Sequence, residues 1–322
     1  MKKIIILPGL LFLIMLIFPR KTRANAVTPD TVRTGIYITS IHNIDFVNRE
    51  YSVSFWLWLK YKNKKLNFPK YLEIPNAKSH TCEFTNTDSS KEEISMLMKV
   101  QCVMKDSWRV EKFPFDKQTL RLTIENSQYD KDSLIFVPDS VGEHYDKRII
   151  YGLAGWNIDS FHIIIANSVY KTSFGDIPFK DSVIYSAYKV RMAIVRKAPI
   201  RLFCKIFLGM YIAFLITYIC FYIRPGNFDS RFQLSVGALF ATIGNKYIVE
   251  SSLPDSTTFT LVDALHTLTL FFILITIGCT IISLRIGRNN KSYSARIFDL
   301  IAAQVILVIY GAANIWFISK AI

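Results

Sequence analysis

Two periodicities divide the chain. Between residues 34 and 61 the side chains alternate: Tyr51, Val53, Phe55, Leu57, Leu59 and Tyr61 are apolar, and Ser52, Ser54, Trp56, Trp58 and Lys60 fall between them. A period of two is that of a strand with one buried face. Comparable runs follow at 94–103, 119–124, 149–165 and 182–195. Turn-forming clusters such as Asn86-Thr87-Asp88-Ser89-Ser90 and Gly175-Asp176-Ile177-Pro178 separate them. Many short strands without a helical stretch between them predict an all-β, immunoglobulin-like sandwich over residues 27–198.

Beyond residue 198 the alternation gives way to long apolar runs, which predict membrane spans at 202–223, 231–250, 261–284 and 297–318 within a domain covering 199–322. Lys205, near the end of the first, has a side chain long enough to reach the interface. The second run is the exception. As a helix of about 20 residues it reaches roughly 30 Å, yet it holds Gln233, Ser235, Thr242, Asn245 and Lys246. Polar groups left in hydrocarbon are costly. A helix meeting water on one side and protein on the others can carry them, so this run reads as pore-lining.

Composition adds direction. The chain has 322 residues, is 51% hydrophobic, and carries 39 basic against 25 acidic side chains, a formal charge of +14. The basic residues are scattered and form no nucleic-acid motif. They gather instead at one side of the spans: Arg224 and Arg231 in the first short turn, and Arg285, Arg288, Lys291 and Arg296 in the last linker, while the 251–260 loop has neither Lys nor Arg. The positive-inside rule then puts the sandwich and the C-terminus outside, the periplasmic side of a bacterial inner membrane. Residues 1–26, with Lys2-Lys3, an apolar core and Ala24-Asn25-Ala26, read as a signal peptide. A retained anchor is the alternative, because basic residues follow the apolar run.

The five cysteines include no C-x-x-C pair. Cys82 and Cys102 lie in the exported half, where an oxidising compartment permits a disulfide; sequence leaves open a bridge or two separate thiols. Glu143-His144 with Asp146 reads as a solvated loop and not as a metal site. No G-x-S-x-G, H-E-x-x-H or phosphate loop occurs, so neither an enzyme nor a cofactor is expected.

Four motifs carry a resemblance: Phe113-Pro114-Phe115-Asp116 with Gln118, Thr34-Gly35-Ile36-Tyr37, Gly155-Trp156-Asn157-Ile158-Asp159-Ser160, and the segment 245–254. In order and spacing they resemble the prokaryotic form of the pentameric ligand-gated ion channel (Cys-loop receptor) superfamily, and are similar to its proton-gated cyanobacterial kind. The resemblance implies a homopentamer, each chain assembling with four identical subunits, with the sandwich followed by a four-helix transmembrane bundle. It also implies a small-molecule agonist, or protons, acting on the sandwich. The chain departs from the family at several points. The cysteines that close the signature loop in animal receptors fall at Asp106 and Leu120, the loop-A Trp-x-Pro survives as Glu73-Ile74-Pro75, and the loop-B tryptophan falls at Ser127. The usual first-span proline is not evident near Leu208-Gly209, and the pore-helix histidine of the proton-gated relative corresponds to Thr242. No particular agonist carries over.

The family binds ligand between subunits in an aromatic cage, which the resemblance assigns to Trp56, Tyr129, Tyr170 and Phe174. It assigns coupling between sandwich and membrane to Asp116 paired with Arg196, to Asp45 as a second acidic partner of Arg196, and to Pro254. Helical spacing from Asp229 then places Gln233, Gly237, Phe240, Gly244, Tyr247 and Ser251 on one stripe. In the homopentamer that the resemblance implies, a ring of five Asp229 side chains would attract permeant cations, and Phe240 and Tyr247 would form constrictions. The competing reading keeps this fold without conduction, as a membrane-anchored sensor or binding protein.

Overall fold

We describe the protein from a computed structural model, in which residues 28–90, 92–139, 144–149, 153–175, 182–288 and 292–322 are described. The expected leader at 1–26 lies outside them.

The first half is a β-sandwich. Among the described residues its strands are β1 (Asp30–Asp45), β2 (Glu50–Tyr61), β3 (Leu72–Glu73), β4 (Ala77–Asp88), β5 (Ile94–Lys105), β6 (Lys117–Asn126), β7 (Leu134–Pro138), β8 (Trp156–Tyr170) and β9 (Val183–Arg196), with a helical turn at Phe68–Tyr71. One sheet has the order β4-β5-β2-β1-β7 and the other β3-β6-β9-β8. The alternation read in the sequence is the inward face. Tyr51, Val53, Phe55, Leu57, Leu59 and Tyr61 of β2 and Ile94, Met96, Met98, Val100, Cys102 and Met104 of β5 are buried. They meet Leu120, Leu122 and Ile124 of β6 and Tyr188, Val190, Met192 and Ile194 of β9 in one core. Gly35 is required by packing: a Cβ there would overlap the Trp58 indole, which donates to Asp139.

One expectation needs correction here, and one choice the sequence left open is decided. In the 149–165 run the described residues 149 and 153–155 are not strand, and the strand begins at Trp156. The Cys82–Cys102 bridge is absent, since both thiols are free. On the paired strands Cys102 faces His80 and Cys82 faces Val100, so the two are displaced by two positions. Cys102 is buried in the sandwich, while Cys82 is exposed and its sulfur contacts the Phe84 carbonyl and the Thr85 hydroxyl.

Four long helices follow: α1 (Pro199–Ile219), extended by a 3₁₀ turn at Cys220–Tyr222, α2 (Phe228–Glu250), α3 (Leu261–Arg288) and α4 (Ser292–Ala321). Pro199 sits in the first turn of α1, where its missing N–H costs nothing. The helix α2 packs on α1 and α3, and α4 packs on α3. Against the four expected spans, three helices among the described residues are long and apolar enough to cross a membrane: Pro199–Tyr222, Leu261–Arg288 and Ser292–Ala321. The helix α2 is not among them, for the reason its sequence announces. Polar groups within α3 are satisfied locally, as Thr269, Thr276 and Thr280 donate to carbonyls one turn back.

Candidate functional site

Three places hold the residues of interest: a cleft on the sandwich, its junction with the helices, and the exposed face of α2.

The cleft has a volume of about 570 Å³ and is lined by Glu73, Pro75, Glu125, Asn126, Ser127, Tyr170, Phe174 and Tyr185. The ends of β3 and β6 supply its floor, and the β8 and β9 ends its aromatic wall. The Tyr170 ring lies 5.7 Å from both Phe174 and Tyr185. Its hydroxyl donates to Glu125 Oε2 at 3.0 Å, and burial together with that carboxylate raises the phenol above its ordinary range. Glu125 Oε1 is buried with no partner among the described residues. Phe174, with φ 52, precedes Gly175 at φ 86, a turn that leaves its ring exposed. The cleft thus combines aromatic faces with two carboxylates, a setting suited to a cation.

Of the cage residues expected from sequence, Tyr170 and Phe174 come together here. Tyr129 does not line the cleft: it packs against the core, and its backbone N–H donates to Asn126 Oδ1. Trp56 lies on the other sheet, edge-to-face with Phe84 at 5.8 Å. Glu125 and Tyr185 went unnoticed in the sequence, because neither stands in a motif and only strand pairing brings them to Tyr170.

At the junction, Arg196 at the end of β9 grips Asp116. Its Nε donates to Oδ1 at 2.6 Å and its Nη2 to Oδ2 at 3.3 Å, with the side chains 13% and 1% exposed. Gln118 donates to the same carboxylate at 2.6 Å and is itself held by the Arg109 backbone. The guanidinium lies 4.3 Å from the Trp156 ring, 4.8 Å from Phe113 and 5.3 Å from Phe46, within range of cation–π attraction. Asp45 is not the second partner of Arg196. Its carboxylate is taken by the backbone and side-chain amide of Asn48, which hold it below the usual carboxylate range, and the neighbouring Phe46 reaches Arg196 instead. Pro254 is buried in the loop between α2 and α3 and lines a small cavity that Val110 also lines. Two contacts that tie this loop down have no sequence signal: Arg49 Nη2 donates to the Asp255 carbonyl at 2.7 Å, and Leu261 N to the Glu111 carbonyl at 2.9 Å.

On α2, Asp229, Gln233, Gly237, Phe240, Gly244 and Tyr247 are all exposed, as is Ser251 just beyond its end. Phe240 is 66% and Tyr247 74% exposed. The opposite face, with Arg231, Ser235, Ala238, Thr242 and Val249, is buried against the other helices. Arg231 therefore turns away from the Asp229 stripe; its Nη2 donates to Asp299 Oδ2 of α4 at 2.7 Å.

No family model matches the sequence. Comparison with curated proteins finds the "Proton-gated ion channel" of Gloeobacter violaceus, 23% identical over 250 residues, covering 71% of this chain. The match spans 66% of that relative's length, just under two thirds. Together with the β-sandwich followed by apolar helices, this distant similarity to an ion channel supports a membrane protein.

Proposed function

We propose that this protein is a homopentameric, cation-selective ion channel of a bacterial inner membrane, gated from the periplasm by a small molecule or by protons. In this reading residues 1–26 are a cleaved leader, 27–198 an exported ligand-binding unit and 199–322 a transmembrane unit with four spans. The observation that carries it is the exposed stripe on α2. The least apolar of the four long helices presents Asp229, Gln233, Gly237, Phe240, Gly244 and Tyr247 away from its own bundle. Five copies around an axis give that stripe water, and give the flanking apolar residues Phe232, Leu234, Ile243 and Ile248, also exposed, a neighbouring subunit.

Asp229 then forms an anionic ring at the inner mouth, which concentrates cations. Phe240 and Tyr247 form rings that close the path by dewetting, with Gly244 leaving room between them and Gly237 on the inner side of Phe240. The ligand is a small cation held by Glu73, Glu125 and the aromatic wall. Trp56 and Phe84 of the adjacent subunit close the cleft from the far side, which explains their separation from it within one chain. The same strand, β9, carries Tyr185 of the cleft and Arg196 of the junction, and the chain enters α1 at Pro199. Movement at the cleft is thereby passed along one strand to the membrane, with Asp116 as the fixed point.

The test is a current recording from purified protein in planar bilayers, scanning pH and small amines. Cation current under at least one condition is expected. Intact pentamers without current under every condition would overturn the channel reading and leave the sensor.

A further inference from the structure

The inner end of the helix bundle contains a buried charge cluster that the pore account does not use. Arg231 and Asp299 have side chains 0% and 1% exposed and lie 2.7 Å apart. Ser283 Oγ of α3 donates to the same Asp299 Oδ2 at 2.9 Å, and Arg231 Nη2 also donates to the Ile223 carbonyl at the end of the α1 segment. The cluster joins all four helices. Its electrostatic position is unusual, because Arg231 stands two residues from Asp229, in the first turn of the proposed pore helix. A helix N-terminus already adds positive partial charge there.

Charge at this depth acts differently from the other basic residues of the same end. Arg224, Arg285, Arg288 and Arg296 are exposed, so mobile ions screen them over about 8–10 Å. Arg231 is buried, and its field passes through protein with little screening. Five uncompensated Arg231 charges would encircle the inner mouth and oppose the five Asp229 carboxylates. With Asp299 at 2.7 Å, each buried pair sums to zero and Asp229 sets the sign.

We infer that Asp299, on α4 and away from the exposed stripe of α2, is a selectivity-determining residue that acts by neutralising Arg231. The inference rests on the cation-selective reading above. It gives the polar group on α4 a role beyond anchoring that helix: it cancels a charge the pore helix carries on its hidden face.

The experiment compares reversal potentials in asymmetric NaCl for the unsubstituted protein, Asp299→Asn, and Asp299→Asn combined with Arg231→Gln. Asp299→Asn is nearly isosteric and keeps an acceptor for Ser283. It is expected to lower the cation-to-anion permeability ratio by about tenfold, and the double variant to restore most of it. A structural role alone would change the amount of current without moving the reversal potential. An unchanged ratio in Asp299→Asn, or a double variant that stays as low as the single one, overturns the inference. If five substituted copies fail to assemble, pentamers mixed with unsubstituted copies carry the same test, with the ratio falling as the substituted share rises. An unsubstituted channel without cation preference would sink the underlying reading, whereas the shift between variants is measured independently of it.

Discussion

The Arg196 guanidinium shows what a single residue does at the seam of this molecule. It is held in plane by two oxygens of Asp116 and covered by Trp156, Phe113 and Phe46, so both its charge and its flat shape are used. Lysine supplies the charge without the fork or the stacking surface. Arg196→Lys is expected to cost about 1–2 kcal/mol and Arg196→Ala about 3–5 kcal/mol, because the latter strands a buried carboxylate. Thermal unfolding of the solubilised protein should rank them in that order. Asp106 makes a second residue-scale case. Its carboxylate accepts from the Ser107 and Arg121 backbone N–H groups. Burial nevertheless holds its pKa above the ordinary aspartate value. A carboxyl so raised binds its proton more readily folded than unfolded, so its unfavourable contribution is full at neutral pH and is relieved as pH falls through the folded pKa. Asp106→Asn should therefore be neutral or stabilising at pH 7 and flatten the pH dependence of stability between neutrality and the carboxylate range. Asp106→Ala should lose about 1–3 kcal/mol with the hydrogen bonds. At this scale the sequence made Asp116 and Arg196 legible through their motif positions. It misassigned Asp45, because the carboxylate's capture by Asn48 three residues on competes with any distant partner.

Among the elements, α2 was the most legible, since its polar residues contradict its length. Strand β4 was the least. Eleven of its twelve residues are exposed and the twelfth, Ala77, is half-buried, so it has no buried face to impose alternation, and only pairing with β5 defines it. Strand β7 is five residues long, too short to show a period. The α2 stripe leads to a prediction at the same scale. If the Phe240 ring is the closed gate, Phe240→Ala should raise resting leak or shift activation to weaker stimulus, by about tenfold or more for the loss of an aromatic constriction. Unchanged resting and evoked currents in a bilayer would remove Phe240 from that role. Asp229→Asn at the stripe's inner end should weaken cation preference without altering activation.

At the scale of the whole molecule, the architecture was read from the switch between two periodicities, and the comparison with the Gloeobacter channel agrees with it at 23% identity. Sequence could not supply the partnerships that only topology creates. The cleft draws on β3, β6, β8 and β9, and the charge cluster on the residues of four helices. The assembly claim is contained in one asymmetry of α2: Phe240 and Gly244 face away from the bundle, while Ala238 and Thr242 are buried in it. The most direct test is substituted-cysteine accessibility, with a charged thiol reagent added during activation and the current of the parent protein, with its own exposed Cys82 and Cys204, as baseline. Modification should block current in Phe240→Cys and Gly244→Cys and leave Ala238→Cys and Thr242→Cys unaffected. Block at the buried pair with none at the exposed pair would contradict the account, since the aqueous path would then run along the other face of the helix.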